Sequence, residues 1–327
     1  MCNRLNPSKL LQREPSLKWM MLLIVCCSSA QLTAQRARSL DQQLFAAIGN
    51  RDLVAAEHLL REGANIEATT TNGVTPLMSA AETGDVPIIS LLLEHGANPR
   101  ARNNQDETAL VHAARGGWVN AVNLLARLAD TKQKNLALIW AVEGGPVVVK
   151  EVVDAPGPPV PMQNPTAYVE ESWTATVEAL LDSGADIEAR DPDGSTPLLP
   201  AAAFAQTDVF KLLLRRGARV DVRDKDGNTP LIAASCECAV ATMNDAYDVV
   251  KLLLEKGSDV NARASNGTTA LMNAAGGFGG SAIVKLLLEH GADPRARDAQ
   301  GKTALEYASD RPDKALLIRK ALAAHRH

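Results

Sequence analysis

Gly194-Ser-Thr-Pro-Leu-Leu-Pro-Ala-Ala-Ala203 leads through a short polar turn into Asp208-Val-Phe-Lys-Leu-Leu-Leu-Arg-Arg-Gly-Ala218, and then into Arg219-Val-Asp-Val-Arg-Asp-Lys-Asp226. Thr196 has the side-chain oxygen of a helix cap, and Pro197 suits a first helical position, where no donor is needed. Leu198, Ala201 and Ala202 make an apolar stripe of small residues, so a neighbouring helix can come close. Val209, Phe210, Leu212, Leu213 and Leu214 give a second helix a broad apolar face, and Gly217 ends it by accepting the left-handed conformation. Asp226-Gly227 then signals a turn. Two short helices and a turn cannot bury both faces alone, so the unit needs copies on either side.

The copies are present. The cap threonine recurs at Thr75, Thr108, Thr196, Thr229, Thr269 and Thr303, and the stop glycine at Gly63, Gly96, Gly184, Gly217, Gly257 and Gly291. Thr75 to Thr108 and Thr196 to Thr229 both span 33 residues, and each stop glycine lies 12 residues before the next of these threonines. The start reads Thr-Pro-Leu or Thr-Ala-Leu, the middle carries paired alanines, and the second helix reads Val-Val-Lys-Leu-Leu-Leu-Glu-Lys-Gly at its clearest, from Val249 to Gly257. Over roughly residues 39 to 322 this pattern resembles the ankyrin repeat family. The resemblance implies an all-α solenoid of about eight stacked helix-turn-helix units, two of them caps, with β-hairpin-like connections. It also implies protein recognition without catalysis or a cofactor.

Composition agrees with a stacked architecture. The chain is 46% hydrophobic but only 3% aromatic, which suits a core of Leu, Ala and Val assembled repeat by repeat. Its net charge of −4 gives no reason to expect nucleic acid or an anionic membrane as a partner.

Residues 1 to 34 stand apart. Arg4, Lys9, Arg13 and Lys18 precede an apolar run that extends at most from Trp19 to Ala30, well short of the ~20 residues of a spanning helix. Small residues at Ser28-Ser29-Ala30 and Leu32-Thr33-Ala34 offer cleavage near 30 or 34. The layout reads as a secretory signal peptide and so as an exported, periplasmic or secreted, protein. The alternative is an uncleaved leader that holds the protein at a membrane. Cys236 and Cys238 are too close for an ordinary structural disulfide and lack companions for zinc.

The regular units frame three departures. The first unit lacks Thr-Pro-Leu; Asp41 is its expected cap, with Leu44, Ile48, Leu53, Leu59 and Leu60 facing inward. At the end of the third, Ala129 replaces the stop glycine, and the best helix start of the fourth is Leu136, with no threonine. About 27 extra residues then separate its two helices, an insertion at about 145–172 that includes Pro156-Gly-Pro-Pro-Val-Pro161, with Tyr168 and Trp173 at its end. A shorter insertion falls at about 236–246, and Gly276 to Gly280 adds one residue to the seventh unit. These extensions share one edge, either as tolerated loop growth or as a recognition edge carrying Tyr168 and Trp173. The irregular third and fourth units also leave room for another reading, a small-ligand binder or enzyme, or two blocks of repeats instead of one.

The hairpins are the usual partner-binding edge in proteins that look like this. Arg102, Arg190, Arg223, Arg263 and Arg297 recur there, followed by Asn103, Asp191, Asp224, Ala264 and Asp298. Stacking aligns them into a guanidinium row beside a broken carboxylate row. The two rows either satisfy each other or form a charged strip for an acidic or mixed protein surface. No hydrolase, phosphate-loop or metal motif occurs, and His58 and His112 stand isolated in sequence, so neither catalytic nor metal residues are expected.

Overall fold

The computed structural model describes residues 39–144, 165–236, 243–277 and 281–324. Among these residues the chain is all-α, with 16 helices and only an isolated bridge between Arg263 and Thr269. The leader, most of the fourth-unit insertion and the centre of the shorter one lie outside the described residues. The helices are α1 (39–49), α2 (Leu53–Arg61), α3 (Pro76–Thr83), α4 (Val86–Glu94), α5 (Ala109–Arg115), α6 (Val119–Ala126), α7 (Thr131–Gly144) and α8 (Pro165–Asp182). They continue as α9 (Leu198–Ala203), α10 (Thr207–Arg215), α11 (Pro230–Ala234), α12 (Met243–Glu255), α13 (Ala270–Gly276), α14 (Ala282–Glu289), α15 (Ala304–Tyr307) and α16 (Pro312–Ala324).

They stack in two layers. From α3 to α15 each first helix packs on the first helix of the next unit, and each second helix on the next second helix. The stack runs unbroken through the fourth unit, where α7 touches α5 and α9 and α8 touches α6 and α10. Ala80, Ala81, Ala113, Ala114, Ala201, Ala202, Ala274 and Ala275 line the first layer at 1% exposure or less. The second layer fills with larger groups, among them Ile88, Leu92, Val177, Phe210, Val250 and Leu287, all fully buried.

The stop glycines behave as their spacing requires. Gly63, Gly96, Gly184, Gly217, Gly257 and Gly291 all take positive φ, from 84° to 97°. Two residues after five of them, an exposed backbone N–H is taken by a side chain from earlier in the chain: Asp41 accepts from Asn65, Glu67 from Asn98, Glu188 from Arg219 and Asn261 from Asp293. Asp41 is therefore a brace inside α1 to the turn that follows α2, and the expected cap at that position is corrected. The end units need further corrections. Leu53 is exposed, and Asp52 caps α2 through Ala55 N. At the other end, buried Lys314 donates to the carbonyls of Ala274 and Gly277 at 2.7 and 3.1 Å, closing the end of α13 beside the glycine cluster.

The fourth unit starts earlier than Leu136. Without a glycine able to turn left-handed at Ala129, the chain leaves α6 and enters α7 after four residues, with no hairpin. Asp130 and Gln133 make a reciprocal box: Gln133 N donates to Asp130 Oδ1 at 2.8 Å, and Asp130 N to Gln133 Oε1 at 3.0 Å. The extra helical turn carries Lys134 Nζ to Ser183 O and Asn135 Oδ1 to Asp186 N, each at 2.7 Å. Asn135 thus supplies the brace that Glu67 and Glu188 supply elsewhere. It is the fifth in the series.

Cap threonines differ more than their spacing suggests. Thr75, Thr229 and Thr269 each accept the N–H three residues on at 3.3 Å. Thr196 does not: its buried hydroxyl is unpartnered, and α9 begins after Pro197. The expected Thr196 cap is thereby corrected. Thr229→Ala should lower the unfolding free energy by about 1 kcal/mol, whereas Thr196→Ala should be neutral or stabilising. Chemical denaturation followed by circular dichroism separates the two.

Candidate functional site

The hairpins between units, here called fingers, are held in line by backbone bonds between neighbouring finger tips. Asn104 N donates to Asn72 O, Lys225 N to Asp193 O, Ser265 N to Asp226 O and Ala299 N to Asn266 O, at 2.7 to 3.0 Å. The arginine row sits beside this ladder and extends it. Arg190 donates to Arg223 O at 2.9 Å, Arg223 to Arg263 O at 2.8 Å, and Arg263 to Arg297 O. Each guanidinium thus binds the backbone of the next arginine. Arg190, Arg223 and Arg297 also close their own turns on Gly194, Gly227 and Gly301 carbonyls. Arg102 has no downstream finger to reach, because the one after the third unit is missing, and it pairs with Asp106 Oδ2 at 2.6 Å.

The acidic row is equally committed. Asp191 Oδ1 accepts Ser195 N at 2.8 Å, and Asp224 takes both the backbone and side-chain amides of Asn228. Asp298 accepts from Gln300 N, Lys302 N and the Tyr307 hydroxyl, which together hold its carboxyl below the usual range, the hydroxyl contributing most. The two rows do not pair with each other, and the five arginines stay exposed along the fingers. They brace the fingers.

Asn103 is buried in a network that sequence spacing hides. Its amide donates to Glu107 Oε2 at 2.8 Å, Arg115 Nη1 donates to Glu107 Oε1 at 3.0 Å, and the Arg115 guanidinium lies 4.8 Å from the Trp140 ring centre. Turn, first helix and next first helix are riveted together. His112, expected to stand alone, lies 3.6 Å from Glu107 Oε2. Burial lowers its pKa despite the opposing pull of Glu107.

Trp173 requires a correction. It was expected at the end of an exposed insertion, but α8 has already begun at Pro165 and the indole is 8% exposed in the second layer. Repeat-to-repeat packing claims this aromatic. Tyr168 lies on the same helix, with its side chain outside the described residues.

The first layer holds a groove instead. It encloses about 510 Å³ between α7, α9, α11 and the two fingers that flank α9. Glu143, Asp191, Asp193 and Asp224 stand along it, and Leu199, Pro200, Phe204 and Ile232 contribute apolar surface. Phe204 is half-buried at the end of α9, in the segment expected to be a polar turn. Burial, reinforced by the charges of Asp191 and Asp193, pushes the Glu143 carboxyl above its usual range. Among the described residues no ion pair reaches Glu143, Asp191 or Asp193. Sequence reading passed over both Glu143 and Phe204. The available signal was a phenylalanine stranded in a turn, in a chain with only 4 of them.

The family model described as ankyrin repeats, in three copies, matches residues 22–103, 44–135, 168–263 and 238–325. The chain belongs to the ankyrin-repeat family. The matches skip residues 136 to 167, the span that holds most of α7 and the insertion of the fourth ankyrin unit. A search of the curated proteins returned no match. Ankyrin repeats generally mediate protein–protein interaction and are typically non-enzymatic. No group of three or more metal-ligating side chains occurs among the described residues, and no helix among them is long and apolar enough to cross a membrane.

The surroundings of Glu143 disfavour its carboxylate form, burial most and then the charges of Asp191 and Asp193. A carboxyl raised on folding contributes stability below its unfolded pKa and loses it as pH rises through the folded value. Glu143→Gln should therefore raise the melting temperature at pH 7.5, and the difference should vanish below about pH 4, where both states are protonated. Thermal unfolding at the two pH values checks this.

Proposed function

We propose that this ankyrin protein is a non-enzymatic scaffold that binds another protein in the first-layer groove of its fourth to seventh units. The observation that carries the reading is the half-buried Phe204 lining a groove with carboxylates that have no ion-pair partner among the described residues. An aromatic side chain only partly covered beside carboxylates matches the make-up of a recognition surface, an aromatic anchor within a polar frame. The fingers act as walls of that groove, with Arg190, Arg223 and Arg263 tying each finger to the next. Phe204→Ala should cut retention of a partner by about tenfold or more, while Leu316→Ala on the closing cap should leave it unchanged. A pull-down from the extracytoplasmic fraction with both variants, quantified by mass spectrometry, checks this. A partner held equally by wild type and Phe204→Ala places the binding surface elsewhere.

We also propose export, supported by the basic and apolar leader followed by small-residue cleavage sites. The mature N-terminus should then fall near residue 31 or 35. Intact mass of protein purified without an N-terminal tag decides it, and a chain still starting at Met1 in a membrane fraction favours the anchored form.

A further inference from the structure

The groove also carries information about its occupant. Its acidic side draws on three levels of the stack: Glu143 comes from the end of α7, Asp191 and Asp193 from the finger before α9, and Asp224 from the finger after it. Asp224 is quenched in part by the two amides of Asn228. Asp191 likewise accepts the Ser195 amide, and among the described residues no ion pair reaches Glu143, Asp191 or Asp193. The nearest arginines, Arg190 and Arg223, aim their guanidiniums along the fingers at carbonyl oxygens and do not neutralise them. Beside these carboxylates lie Leu199, Pro200 and Phe204.

We propose that the groove receives an extended cationic segment of the partner protein, with Arg or Lys side chains against Glu143, Asp191 and Asp193 and an apolar side chain on Phe204 and Leu199. This rests on the groove being the partner-binding surface. It reverses the expectation drawn from the arginine row, which favoured an acidic or mixed partner. Two features argue for it. Carboxylates set together along the groove repel one another, and an incoming cation relieves that repulsion on binding; the Glu143 carboxyl is raised first by burial and then by the charges of Asp191 and Asp193. The alternation of carboxylate wall and apolar floor suits a chain that presents a basic and an apolar residue side by side, and arginine, with its fork of donors and weakly hydrated plane, satisfies both best.

The test is selection of a random dodecapeptide display library against the full chain, followed by binding measurements on the winners. Selected peptides should be enriched in Arg or Lys next to an apolar residue. Their affinity should fall about tenfold in the double variant Glu143→Gln, Asp193→Asn, and should weaken as salt is raised. The charge-matched control Glu94→Gln, Glu255→Gln, on the exposed faces of α4 and α12, should bind as wild type does, which separates a local site from attraction to net negative charge. Enrichment of acidic or uncharged peptides overturns the inference, as does unchanged binding in the groove double variant, or a selection that yields nothing. If any of these occurs while the pull-down partner still depends on Phe204, the scaffold reading stands and only the cationic assignment fails.

Discussion

The closeness of the first helices is the constraint on which the structure depends. Alanines recurring as pairs on α3, α5, α9 and α13 are buried to 1% exposure or less, and a methyl group is the largest side chain that lets neighbouring helix backbones approach at those points. The second layer, packed with Leu, Ile, Val and one Phe, sets a wider contact. Neither layer is stable alone, because a helix of five to nine residues is too short to persist without burying its apolar face. Stability is therefore a property of the interfaces, and each unit depends on the next.

A second constraint follows from the turns. With the helices fixed, finger backbones fall into hydrogen-bonding range of one another, and the repeated arginine extends the bond from tip to base. The fourth unit shows what occurs when one finger is absent. Arg102 loses its downstream carbonyl and turns to Asp106, while Asn135, on an extra turn of α7, takes over the brace normally given by a finger glutamate. The stack continues because a longer helix replaces a missing turn. At the other end of the same helix, Glu143 lines the groove.

The groove runs against the economy of the rest. Elsewhere charged groups are braced: Glu107 by Asn103 and Arg115, Asp298 by Tyr307, Lys314 by two carbonyls. Around Glu143 three carboxylates meet with no counter-ion among the described residues, beside an aromatic ring that packing has not fully covered. Strain of this electrostatic kind concentrates where a protein meets something else.

The sequence by itself determined the fold class and its period, because Thr-Pro-Leu starts, alanine pairs and stop glycines are local chemistry that repeats. A glycine must turn left-handed wherever a helix ends that way, so Gly63 to Gly291 were legible one by one. Which threonines cap was not legible: Thr196 and Thr229 share a motif, yet only Thr229 reaches an amide. Nor was the start of α7, whose Asp130 and Gln133 box replaces the expected signal. Tertiary structure alone decided what each side chain does. The arginines looked like an exposed strip because their spacing is visible, but the carbonyls they bind belong to residues 33 to 40 positions away. Trp173 looked like a loop anchor until helix packing buried it, and Glu143 joined Asp191 and Asp193 only across the gap that the insertion spans in sequence. Local patterns specify a repeat; the distance between repeats in space, which no short motif records, assigns the groove.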